Sequence, residues 1–197
     1  MAFIGMKYVV AAPIDTETAG SAVTYDTGFV VGKAISGNLT WNRNDNPLYA
    51  DDAIAENDNS VTGGTLQIGV DDLADTVRNK LLGEKEVTVT SGNTSSTEYE
   101  TNDTAAPYVG IGYMRVRRKA GATTYQAVWF HKVQFGEESE EAATKGESIE
   151  WQTPTINGKI MSVQNDETLA NNFRRRATFD TEAAAKAWLK AKAGISA

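Results

Sequence analysis

Short apolar runs separated by polar, turn-rich segments cover most of the chain, and within the runs apolar and polar positions alternate. A period of two sets one side of an extended segment on a core and the other on solvent or a partner. "MKYVVAA" (6–12) predicts a first short strand, ended by Pro13. After the turn-rich "DTETAGSAV", a long β segment is expected from about Thr24 to Trp41, where Gly37, Leu39 and Trp41 alternate with Asn38 and Thr40. Gly28, Gly32 and Gly37 suggest bends or bulges in a strand too long to be straight. "SVTGGTLQIGVDD" predicts a returning strand, with Leu66, Ile68 and Val70 on one side. The two strands make a hairpin whose connection, about 42–62, is far longer than the roughly 2–5 residues of ordinary hairpin loops.

"DDLADTVRNKLLG" changes period. Leu73, Val77 and Leu81 recur at helical spacing, which predicts a helix over about 71–82. Asp71 or Asp72 is expected to cap it, Arg78 and Lys80 suit its C-terminal dipole, and Gly83 suits the left-handed position after the last turn. A weaker strand is expected at 85–90, and a polar loop or extended excursion over 91–106. "YVGIGYMRVRR" (108–118) and "TTYQAVWFHKVQF" (123–135) predict a β pair around the turn "KAGA". In the second strand Tyr125, Ala127, Trp129, His131, Val133 and Phe135 are expected on one face, with Gln126, Val128, Phe130, Lys132 and Gln134 on the other. Both faces carry bulk, so each needs a cover. An acidic turn (136–148) and a strand over 148–160, with Ile149, Trp151 and Thr153 in phase, follow. "NDETLANNFRRRATFD" has little pattern. "TEAAAKAWLKAKA" (181–193) predicts a helix capped by Asp180 or Thr181 and ended by Gly194, an appendage packed through Trp188 because its apolar face is small. The expected organisation is one β domain over 1–165 and a C-terminal extension over 166–197.

The whole is a mainly β chain, and its 197 residues suffice for a core that buries roughly 70% of the unfolded surface. The absence of cysteine excludes a disulfide framework, a zinc–thiolate site and a cysteine nucleophile, and fits a protein made in a reducing cytoplasm. A formal charge of −7 argues against gripping nucleic acid by its phosphates and against docking on an anionic membrane. No apolar run approaches the ~20 residues of a membrane span, and the opening segment has its lysine inside the apolar stretch, unlike a secretory leader.

Little chemistry is assembled. His131, the single histidine, sits mid-strand among apolar residues and reads as a core or interface histidine. Asp51–Asp52 lacks the spaced acids and central glycine of a calcium loop, and no Lys–Ser/Thr pair follows "GGTLQIG" to make a phosphate loop. No motif supports a pair of glycosidase carboxylates. The one basic cluster, "FRRRATF" (173–179), suits neutralising acidic surface on this chain or a neighbour better than holding phosphate. Catalytic residues, cofactors and bound metals are therefore not expected.

The order of these features resembles the major tail proteins of long, flexible-tailed bacteriophages. "LYADD" in the long connection, a strand running into a helix that ends "LLG", and "ATKGESIEWQTPTINGKI" carry the resemblance, which spans about residues 5–165. It implies a β-sandwich or partly open barrel with one flanking helix and a long hairpin loop, here followed by a C-terminal helix outside the resemblance. It further implies a structural virion protein, made in the host cytoplasm, whose hexameric rings stack into the tail tube through which the genome leaves. Tape measure, tail terminator and distal tail or baseplate proteins are the implied partners. Double-stranded DNA would pass an acidic lumen without specific binding. A contractile-tail or secretion-system tube would share this fold. A glycan-binding baseplate module, using some of the four Trp and seven Tyr, is a further alternative.

The family's loop reaches a neighbouring subunit or ring. That gives a purpose to "NPLYADDAIAENDNS" (46–60), where Leu48, Tyr49 and Ile54 are out of place in an idle loop and Asp51 and Asp52 stand among further acids. These five residues are the expected inter-subunit contact, mobile in a free subunit and ordered in a tube.

Overall fold

The computed structural model describes residues 2–18, 21–91, 94–101, 105–139, 153–163 and 172–196. The chain opens with β1 (Ala2–Thr16), β2 (Thr24–Tyr25), β3 (Phe29–Gly32), β4 (Ala34–Arg43), β5 (Asn46–Ala50), β6 (Ala53–Asp58) and β7 (Val61–Val70). After α1 (Asp75–Leu82) come β8 (Lys85–Ser91), β9 (Thr94–Glu100), β10 (Tyr108–Lys119), β11 (Ala122–Ser139), β12 (Thr155–Met161), β13 (Arg174–Phe179) and α2 (Glu182–Ala193). The fold is mainly β, a sheet-rich α+β architecture of sandwich type with two helices among the described residues. The large sheet runs β2-β1-β10-β11-β12-β7-β4, with β3 beside β1 and β13 beside β11.

Its two ends come round toward each other without closing. A Cβ added at Gly37 of β4 would lie 2.6 Å from the Met6 sulfur of β1, yet among the described residues no ladder joins these strands. The space enclosed is the main core, built from Val9, Leu66, Ile68, Val109, Ile111, Tyr113, Phe130 and Ile160 and closed at one side by Leu73 and Leu81 of the α1 segment.

Several sequence expectations change. Pro13 does not end the first strand. It lies within β1 opposite Val109, and its carbonyl accepts from the Asp26 amide, so its missing N–H disrupts no ladder there. The 24–41 segment is three strands, broken at residues 26–28 and at Lys33. At Lys33, Asp71 takes the backbone amide at 2.8 Å, which holds its carboxyl below the usual range. Asp71 is thereby spent away from the helix, which starts at Asp75 behind an Ala74 cap position that has no side-chain bond. Gly83 does adopt the left-handed conformation, φ 74°. Residues 94–100, expected as a loop or extended excursion, are extended and pair with β8 as a two-stranded ribbon. The Ile149 and Trp151 positions, the acidic turn beyond Ser139 and the "TKGE" element lie outside the described residues.

β11 carries the most consequential difference. Val109 pairs with Val133 but Ile111 with Phe130, so one extra residue is accommodated at His131–Lys132. This bulge inverts the alternation. Val128 and Phe130 face the main core, and so do Val133 and Phe135, whereas Ala127 and Trp129 face the other way. The neighbour changes at the same point, from β13 along 125–130 to β12 along 132–139. β13 itself, in the segment without pattern, pairs residue for residue from Tyr125↔Phe179 to Phe130↔Arg174.

The second face of β10 and β11 is covered within the chain, by α2. Thr181 caps this helix, its Oγ1 accepting from the Ala184 amide at 3.2 Å, and Gly194 ends it at φ 65°. Ala185, Leu189 and Ala193, one stripe at i, i+4, i+8, are fully buried against Val10, Met114 and Trp129. Small residues give the stripe little apolar bulk but let the helix lie close, so α2 is a structural cover and not an appendage hung on Trp188. Trp188 is only half-buried and packs at the margin beside Phe179.

Candidate assembly interface

The long connection is a β-ribbon. Tyr49 pairs with Ile54 and Ala50 with Ala53, leaving Asp51 and Asp52 as a two-residue turn. Both have left-handed backbones, φ 50° and 60°. That is the handedness of a type I′ turn, whose twist matches the flanking strands and which Asp tolerates better than most residues. The acids at the tip thus have a conformational reason to be there.

The ribbon's root explains the remaining polar residues. The Asn44 side chain donates to Asp58 at 3.2 Å and to Ser60 at 3.1 Å, while Asn57 donates to Asp45 at 3.1 Å and accepts from the Asn46 amide. Arg43 reaches the Asn59 carbonyl. The Ser60 amide and hydroxyl, with Asn44, hold the Asp58 carboxyl below the usual range. These bonds fasten the ribbon where it leaves β4 and β7, whose own pairing runs from Ala34↔Val70 to Arg43↔Val61.

Beyond the root, Leu48, Tyr49 and Ile54 are 59, 64 and 60% exposed. Tyr49 and Ile54 form a cross-strand pair, and Leu48 lies opposite Glu56. All five residues singled out from the sequence therefore stand on one solvent-facing ribbon tip. Sequence reasoning missed that the connection is itself a strand pair. Its signal was the apolar Leu48–Tyr49 and Ile54 flanking a two-residue acidic turn.

More apolar surface lies along the opening of the large sheet, where Phe3, Ile4, Val30 and Ile35 are exposed. Among the described residues, β4 pairs on one side only and β1 before Val9 pairs only with β10. Unpaired edges of this kind template strand addition. A groove of about 590 Å³ runs beside them, floored by Met6, Tyr8 and Val31. On its polar rim Lys7 and Lys186 both pair with Glu182, at 3.1 and 2.9 Å, and Lys33 pairs with Asp71 at 3.4 Å.

His131 and two of the tryptophans lie within the packed structure. His131 is 5% exposed, and burial first, then Arg175 and Lys192, lower its pKa to about 4, so it is neutral at pH 7. Its carbonyl accepts from the Tyr25 hydroxyl at 2.9 Å, and the same hydroxyl receives the Trp129 indole N–H at 3.3 Å. Burial pushes the Tyr25 phenol up to about 12. Trp129 is fully buried, and Trp41 is half-buried with Arg174 over its ring at 4.9 Å. Arg174 and Arg176 face the main-core side of β13 and Arg175 the other. No helix among the described residues is long and apolar enough to cross a membrane.

No protein-family model matches the chain, and no curated protein matches it.

Proposed function

We propose that the chain is a structural, self-assembling subunit that builds the tail tube of a long, flexible-tailed bacteriophage as stacked hexameric rings. The observation that carries this is the ribbon tip. A fastened two-stranded ribbon holds three large apolar side chains in solvent, an arrangement that gains from burial against another molecule. Removing such side chains from water contributes about 1.5–3 kcal/mol each when burial is complete. The unpaired edges at the sheet opening support the same reading, because ring closure is one way to remove them. The order of "LYADD", the strand–helix succession ending "LLG" and the "TKGE…QTP" segment supports a resemblance to that family. The interior position of Trp129 and the cover over Trp41 weigh against a sugar-binding platform.

Size exclusion at rising concentration, with negative-stain microscopy of each fraction, tests the proposal. Rings or tubes are the expected products, and a strict monomer at high concentration would sink it. Hydrogen exchange offers a second check. Protection over residues 44–60 should rise on assembly, and equal protection in free and assembled chains would count against a ribbon contact.

A further inference from the structure

Four guanidinium groups meet at one end of the sandwich. Cross-strand rows on β10, β11 and β13 place them. Ile111–Phe130–Arg174, Tyr113–Val128–Arg176 and Arg115–Gln126–Thr178 lie side by side, so the face that is apolar core lower down becomes basic at its end. Arg115 donates to the Gln126 side-chain oxygen at 2.6 Å, and Phe3, 47% exposed, lies under Arg115 and Arg117 with their Cζ atoms 4.1 and 5.5 Å from its ring centre. Burial, followed by the like charges of Arg176 and Arg117, lowers the Arg115 pKa. Among the described residues no carboxylate forms an ion pair with Arg115, Arg174 or Arg176.

The complementary surface is on the same chain. Residues 44–60 hold five acids and no lysine or arginine. Asp45 and Asp58 are engaged in the root, which leaves Asp51, Asp52 and Glu56 exposed around Leu48, Tyr49 and Ile54. One surface is arginine set around the exposed Phe3 ring and the half-buried Trp41 ring, and the other is carboxylate set around exposed apolar side chains. Charge-assisted hydrogen bonds and guanidinium–aromatic contacts fit that match. The chain's own ribbon is poorly placed to make it. Arg174 covers Trp41, two residues before β4 ends at the ribbon's root, whereas five extended residues hold the tip roughly 17 Å beyond that root.

We infer that the arginine face of one copy, centred on Arg115, Arg174 and Arg176, receives the acidic ribbon tip of a second copy. The contact rests on the chain's being a self-assembling subunit, and it names the receiving surface.

The cysteine-free sequence makes the test clean. Two chains, one carrying Glu56→Cys and the other a size tag and Thr178→Cys, are mixed under assembling conditions and mildly oxidised. The expected product is a mixed disulfide dimer. Assembled particles without it overturn this contact alone, whereas chains that remain monomeric overturn self-assembly and the contact together. In parallel, Arg176→Glu should raise the concentration needed for assembly at least tenfold, and Glu56→Arg in the same chain should restore much of the loss. Assembly untouched by Arg176→Glu overturns the inference. So does retention of a double-stranded DNA oligonucleotide that Arg176→Glu abolishes while assembly persists, since the face would then serve nucleic acid.

Discussion

Gly112 and Leu189 touch where α2 lies on the sheet. A Cβ built on Gly112 would sit 2.8 Å from Leu189 Cδ2 and 2.7 Å from both Trp129 Cε3 and the Val128 carbonyl. No rotamer relieves a clash with backbone. Gly112→Ala should therefore destabilise the chain by about 1–3 kcal/mol, the range for overpacked cores. Gly5→Ala, with nothing within 4 Å of the added carbon, should be near neutral. Paired urea melts check this, and equal midpoints would refute the close packing around Gly112.

Tyr25 ties the 24–25 strand to the bulge through its two hydrogen bonds, and its ring meets Trp129 edge-on at 5.3 Å. Tyr25→Phe keeps the ring and strands the buried indole N–H. A loss of about 1–3 kcal/mol is expected. A thermal melt indistinguishable from wild type would refute the bridging role.

His131 gives a pH signature. Its folded pKa of about 4 lies below the unfolded 6.5, so the unfolded chain binds the extra proton first as pH falls. Stability from this group is complete above pH 6.5 and drains away between 6.5 and 4. The full loss is roughly 3–3.5 kcal/mol by proton linkage. Because His131 is the single histidine, denaturation between pH 5 and 6.5 reads it ahead of most carboxylates. His131→Gln should flatten that slope, and an unchanged slope would assign it elsewhere.

Replacing Leu48, Tyr49 and Ile54 together by Ser should separate folding from assembly. All three are exposed, so the monomer should lose no more than about 0.5 kcal/mol per site. Assembly, followed by light scattering, should fall at least tenfold. Normal assembly by the triple variant would remove the ribbon tip from the interface.

Periodicity located the strands that carry long alternating runs, β7, β10 and β11, and the helices at α1 and α2. It failed where a single residue decides the outcome. Nothing in "WFHKV" announces that the alternation inverts at His131–Lys132, because the bulge arises from what pairs with β11 on each side. The helix cap was misread since Asp71 has a competing partner, the Lys33 amide, distant in sequence. α2 looked peripheral because alanine carries little apolar area, although burial depends on how closely a helix can approach. At the ribbon, the apolar residues and the acids were visible, but the left-handed turn at Asp51–Asp52 and the asparagine root that organise them were not.

The bulge also limits how the gene can change length. Deleting one residue at His131 or Lys132 would not merely shorten a strand. It would turn every side chain from Val133 to Phe135 through half a revolution, sending two core residues into water and leaving β12 to pair with a reversed face. Insertions in the acidic tip at Asp51–Asp52 meet no such barrier. Length variation in proteins built on this plan should therefore gather at the acidic ribbon tip, while the segment around residue 131 keeps a fixed count.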